Sequence, residues 1–154
     1  IRFASSAILC LVHDIVIVIL FYAVSWTTVG NTFIACMLTI LGYSINASIV
    51  LFDRIREKLK ASGYTGDLKE IVNGAITDTL TRSIYTSLTT FVTVAALYVL
   101  GVTAMKEFAL PLIVGIVAGA YSSVCVAGSL WYTMTKKRFE SGKMRKKYLE
   151  SLED

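Results

Sequence analysis

The sequence predicts an all-α, polytopic membrane helix bundle: four transmembrane helices plus a cytoplasmic interfacial helix. Three observations carry this. Of 154 residues 55% are hydrophobic, 17% are charged and a single one is proline, a balance too apolar for an ordinary soluble domain. The apolar residues fall into four blocks, each long enough to cross a hydrocarbon core of about 30 Å at about 1.5 Å per residue. In the stretch GYSINASIVLFDRIRE, from Gly42 to Glu57, an apolar helix is interrupted by Ser44, Asn46 and Ser48 and then runs straight into charges. Lipid offers such groups no hydrogen bonds, so they must face other helices or a wet interior.

The spans are expected at residues 5–24, 32–52, 80–100 and 108–134, inside a bundle of residues 1–135 that is followed by a basic tail, 136–154. The first carries His13 and Asp14. An ionised carboxylate near the middle of a span costs roughly 2.5–3.5 kcal/mol on insertion scales, so Asp14 is a candidate for a proton or polar-network role, set against a purely structural hydrogen bond. Neighbours on a helix diverge by about 100°, so His13 and Asp14 do not form a dyad by proximity alone; packing or hydrogen bonding is the plainer reading of His13. Cys10, Cys36 and Cys125 each sit within a span without a CxxC pair and read as small buried hydrophobes.

In the second span Asn46 is too short to reach the headgroups. Its amide needs partners in the bundle, with Ser44, Ser48, Thr86, Ser87, Thr89 and Thr90 at similar depth. The helix end that follows, with Asp53, Arg54, Arg56 and Glu57, reads as solvated, stabilised by Asp53–Arg56 and Arg54–Glu57 pairs at i,i+3; a docking surface for a cytoplasmic partner is the alternative. The run SGYTGD then ends that helix, and an N-cap at Thr65 or Asp67 starts another, LKEIVNGAITDTL, expected to lie along the membrane surface within a cytoplasmic loop of residues 53–79.

Arg82 opens the third span. It can snorkel, pair with Asp78 one turn back, or act as a fixed positive charge beside a carboxylate on another helix. The fourth span holds Gly115 and Gly119, a GxxxG close-packing surface flanked by Ala118 and Ala120. Which helix packs there is left open by the sequence.

Basic residues set the orientation. Arg2 precedes the first span and basic residues cluster between the second and third and after the fourth, while Lys106 alone occupies the other two connections. By the positive-inside rule both ends and the middle loop are cytoplasmic, and residues 25–31 and 101–107 form outer turns. The net charge of +4 thus reports topology and contact with membrane lipid, not nucleic acid. With one His and no HExxH, GxSxG or Walker loop, nothing suggests an enzyme, a metal site or a cofactor.

Four motifs in order, GYSIN followed by FDRIRE, TRSIYTSLTT at residues 81–90, and GIVAGAYSS at residues 115–123, together with the opening IRF and His13–Asp14, resemble the SecF family of protein-export membrane proteins. The resemblance covers the chain to about Met134 and implies the last four of six helices, so the sequence is expected to be a fragment that lacks one helix, a large extracytoplasmic domain and most of a second helix. It also implies a core related to the resistance-nodulation-division transporters, localisation in the bacterial inner membrane, SecD and the SecYEG translocon as partners with YajC as a further candidate, an exported unfolded polypeptide as cargo, and use of the proton-motive force. Within it Gly42, Ser44, Ser122 and Ser123 count as motif residues, and Arg82 matches the family's arginine before TSLTT. One departure stands out. Where the family carries Asn-Asp-Thr, this chain has Asn46-Ala47-Ser48, so the intramembrane carboxylate is absent at that place. A small-molecule exporter of the same superfamily and a passive membrane scaffold are the competing readings.

Overall fold

The computed structural model describes residues 2–26, 29–142 and 149. Five α-helices follow in order: α1 (Arg2–Ser25), α2 (Asn31–Ala61), α3 (Leu68–Leu100), α4 (Thr103–Tyr121) and α5 (Ala127–Glu140), the last two joined into one long rod by a π-helical turn, Ser122–Val126. Four helices, counting that rod as one, are long and apolar enough to cross a membrane, which agrees with the all-α bundle expected. Short connections make α1, α2, α3 and the rod of α4 and α5 successively antiparallel.

Burial runs in stripes with a four-residue step. On α1 the buried positions are Ser6, Cys10, Asp14, Val18 and Tyr22; on α2 they are Cys36, Ile40, Ser44, Ser48, Phe52 and, beyond the apolar block, Ile55 and Leu59. Such a narrow stripe is the seam of closely packed, nearly parallel rods. The GxxxG surface supplies the close approach. A methyl group at Gly115 would lie 2.3 Å from Ile40 Cδ1, and one at Gly119 would touch Tyr43 and Ser44 at 3.6 Å, so α4 packs against α2. That answers the question the sequence left open.

At the charged end the core continues past the apolar blocks. Phe3 stacks on Trp131 at 4.8 Å and meets Phe52 edge-on at 5.4 Å, while Leu51, Ile55, Leu59, Leu68, Val72 and Ala75 complete the cluster. This cluster explains where the structure departs from the expected surface helix. Residues 68–80 are helical, with Asp67 as N-cap accepting from the Lys69 N–H at 2.9 Å, but they continue without a break into the third span because no glycine or proline separates Asp78 from Arg82. Their apolar face, Leu68, Val72 and Ala75, is buried against α2 and α5 rather than laid on lipid. The other N-cap candidate, Thr65, donates to the Ser62 carbonyl within the loop. That loop holds Gly63, Tyr64 and Gly66 at positive φ, which the two glycines adopt freely. The outer turn expected at residues 101–107 shrinks likewise, α4 starting at Thr103. Beyond Gly142, the basic tail, including Lys143, Arg145, Lys146 and Lys147, lies outside the described residues.

Gly42 is exposed, and a methyl group there would meet nothing within 4 Å. It takes no part in packing these helices, because it sits on the face of α2 turned away from the seam. Gly115→Ala in the full-length protein should therefore lower thermal stability by about 1–3 kcal/mol through overpacking, Ile40→Ala in the same chain should recover part of the loss, and Gly42→Ala should change little. Melting in detergent measures all three, and equal melting of the two glycine variants would refute the assigned seam.

Candidate functional site

Asp14 lies at the centre of the bundle, 1% exposed. The four-residue step of the α1 stripe turns its carboxylate inward, and two other elements bring hydroxyls to it. Ser44 of α2 donates to Oδ2 at 2.5 Å, Ser122 at the start of the π turn donates to the same oxygen at 2.9 Å, and His13 Nδ1 stands 3.1 Å from Oδ1. Donors of this kind offset part of the cost of burying a charge. Gly119 lies alongside, where a methyl group would stand 3.7 Å from Oδ2, in ordinary van der Waals contact. His13 itself is partly exposed, its side chain at 39%. The helical directions of the two residues diverge, but the imidazole bends back onto its neighbour, so His13 takes the hydrogen-bonding role that the sequence favoured.

Arg82 forms a second polar centre. A cavity of about 60 Å³ opens between α2, α3 and the π turn, with Tyr43, Asn46, Ala47, Arg82, Thr86 and Ser123 among its walls. A wider cleft of about 390 Å³, bounded by Asp53, Arg54, Asp78, Thr79 and Arg82, lies toward the charged end. Arg82 borders both. The sequence offered Asp78 as its ion-pair partner, but Asp78 is taken by α2: Arg54 Nη2 approaches it at 2.6 Å and Lys58 Nζ at 3.0 Å. Those two cations hold the Asp78 carboxyl below the usual carboxylate range, Lys58 foremost. Among the described residues Arg82 makes no ion pair. Arg54 also pairs with Glu57 at 2.6 Å, as expected, whereas no Asp53–Arg56 pair forms among the described residues; the exposed side chains of Asp53 and Arg56 point to solvent.

Asn46 does not act as the expected tie between helices. It is exposed and lines the small cavity. Its candidate partners are engaged elsewhere, Ser44 on Asp14 and Thr86, Thr89 and Thr90 on carbonyls of their own helix, and the buried Ser48 hydroxyl has no partner among the described residues. The tie is made three residues earlier, where the Tyr43 hydroxyl donates to Ser87 at 2.6 Å. Sequence reasoning missed Tyr43, which looks like any aromatic of an apolar span, and it missed the π turn, whose SSVCV sequence gives no sign of a register change. Within residues 80–100 only Val94 is buried, so the hydroxyl-rich face of α3 around Arg82 is open.

A bundle of four helices apolar and long enough to span, with a buried carboxylate, an arginine that has no ion pair among the described residues and an open polar helix face, defines a polytopic membrane protein built around an internal polar network. Residues 1–137 match the family "Protein export membrane protein SecD/SecF, C-terminal", and the chain belongs to that family. It is 42% identical over 137 residues to the protein translocase subunit SecF of Calditerrivibrio nitroreducens, covering 88% of this chain and 45% of that one. To the protein translocase subunit SecDF of Bacillus subtilis it is 40% identical over 132 residues, covering 84% of this chain and 18% of that one. A solved structure, the crystal structure of SecDF in a super-membrane-facing form, superposes with a TM-score of 0.84 at 39% identity, covering 94% of this chain and 20% of that one. The chain thus spans under half the length of the SecF relatives it matches.

Proposed function

We propose that this chain is the membrane-embedded part of an accessory subunit of the bacterial Sec translocase, which works with SecD to couple the proton-motive force to protein export. It acts by conformational work on a transported polypeptide and not as an enzyme. The observation that carries the reading is Arg82: a cation at the membrane edge, without an ion pair among the described residues, bordering a polar cavity on a helix face that the chain leaves open. A charge so placed is costly in lipid and is used where protons or ions pass. Ala47, in the wall of the same cavity, cannot carry a proton. The titrating group is therefore assigned to a carboxylate of the SecD partner facing Arg82, with Asn46 and the neighbouring hydroxyls holding water between them, and Asp14 serving as a second polar centre within the chain. Contacts with SecYEG and YajC, and the exported chain itself, belong to the whole protein.

In membranes containing SecD, Arg82→Ala and Asp14→Asn should insert and assemble normally yet lower proton-dependent export about tenfold, each by removing an ionisable group from the polar network while leaving the packing in place. Normal export by both variants under limiting proton-motive force would sink the proposal.

The basic residues assign the charged end of the bundle, with the connection 62–67 and both termini, to the cytoplasm. A cysteine at Ser62 should then react with an impermeant thiol reagent only from the cytoplasmic side, and one at Val29 only from the outside; the opposite pattern would invert the topology.

A further inference from the structure

The two polar centres share their walls. Asp14 takes hydrogen bonds from Ser44 and Ser122, while the residues adjacent to these, Tyr43 and Ser123, line the Arg82 cavity. On α2 a step of one residue turns the side chain by about 100°, so Ser44 faces the seam and Tyr43 faces α3, where it donates to Ser87 at 2.6 Å. On the other wall, Ser122 and Ser123 begin the π turn Ser122–Val126. Both hydroxyls are buried: Ser122 reaches inward to Asp14, and Ser123 donates to the Ala120 carbonyl at 3.1 Å beside the cavity. A π turn is a single wide turn set into an α-helix, a local change of register that places the side chains on either side of it.

We infer that Asp14 is a positioning residue for the Arg82 cavity: by accepting from Ser44 and Ser122 inside the seam, its carboxylate fixes Tyr43 and Ser123 in the cavity wall and holds the π turn that places them. His13 contacts the other oxygen of Asp14 from the partly exposed side of α1 and lies outside this linkage. The inference deepens the proposed function, since it rests on the Arg82 cavity being the working site, but its geometric content stands apart from export.

The test places a thiol reporter in the cavity. Ala47→Cys, in full-length protein carrying Cys125→Ser and assembled with SecD in membranes, is reacted with N-ethylmaleimide and the rate is measured. Asp14→Leu and Ser122→Ala should each change that rate about fivefold, the factor equivalent to one hydrogen bond, whereas Asp14→Asn, which keeps an acceptor for both hydroxyls, and His13→Ala should stay within about twofold. If Asp14→Leu fails to assemble, Ser122→Ala and Ser44→Ala decide. Unchanged rates in the serine variants, or an equal change in His13→Ala, would overturn the inference. Export assayed on the same membranes separates the two claims: a shifted rate with normal export in Arg82→Ala removes the functional reading and leaves the linkage, and an unchanged rate with lost export does the reverse.

Discussion

Everything in this bundle is arranged around one costly act, the burial of the Asp14 carboxylate at the centre of a membrane protein. A carboxylate in that place is tolerable only with donors in fixed positions. Ser44 and Ser122 are the donors. The close approach of α4 to α2 through Gly115 and Ile40 then follows from the same requirement, because hydroxyls as short as serine reach a common oxygen only when the helices nearly touch. The seam is thus polar at its middle and apolar at both ends, with Val18, Tyr22, Cys36 and Ile40 on one side and the Phe3–Trp131–Phe52 aromatic group on the other. Apolar ends supply packing without competing for the carboxylate, and they keep the polar centre from opening along the helix axis.

The second consequence is division of labour between faces of one helix. On α2 the inward face holds Asp14 and the outward face builds the Arg82 cavity; on the π turn neighbouring serines do the same. In the cavity Ala47 presents a methyl group, and the charged residue among the walls is Arg82. Asp78, which shares the wider cleft with it, is paired with Arg54 and Lys58, so Arg82 has no ion pair among the described residues and is open to a group from outside the chain.

Much of this was legible before any coordinates. Apolar block length gave the spans, and the intramembrane cost of Asp14, Asn46 and Arg82 marked them as residues that need partners. GxxxG announced a close contact, and its periodicity could not say with which helix, since every span offers an apolar face. The less legible features share a physical cause. Continuity of α3 across the membrane edge depends on burial of Leu68, Val72 and Ala75 against distant residues, and a local reading sees only a change from charged to apolar sequence. The His13–Asp14 contact depends on a rotamer, the π turn on contacts from α1, and the Tyr43–Ser87 bond on the neighbour chosen by α2. Each is a tertiary fact that leaves no periodic trace in sequence.

The central claim is that a carboxylate held inside the seam and an unpaired arginine on its outer face form two sides of one polar unit that a partner completes. An experimental structure of the full-length protein with SecD in a lipid nanodisc tests it most directly. The account predicts Asp14 bonded to both Ser44 and Ser122, and a carboxylate of the partner, directly or through ordered water, at the Arg82 cavity. Acyl chains against Arg82 and the open face of α3, or an Asp14 turned away from the two serines, would contradict it.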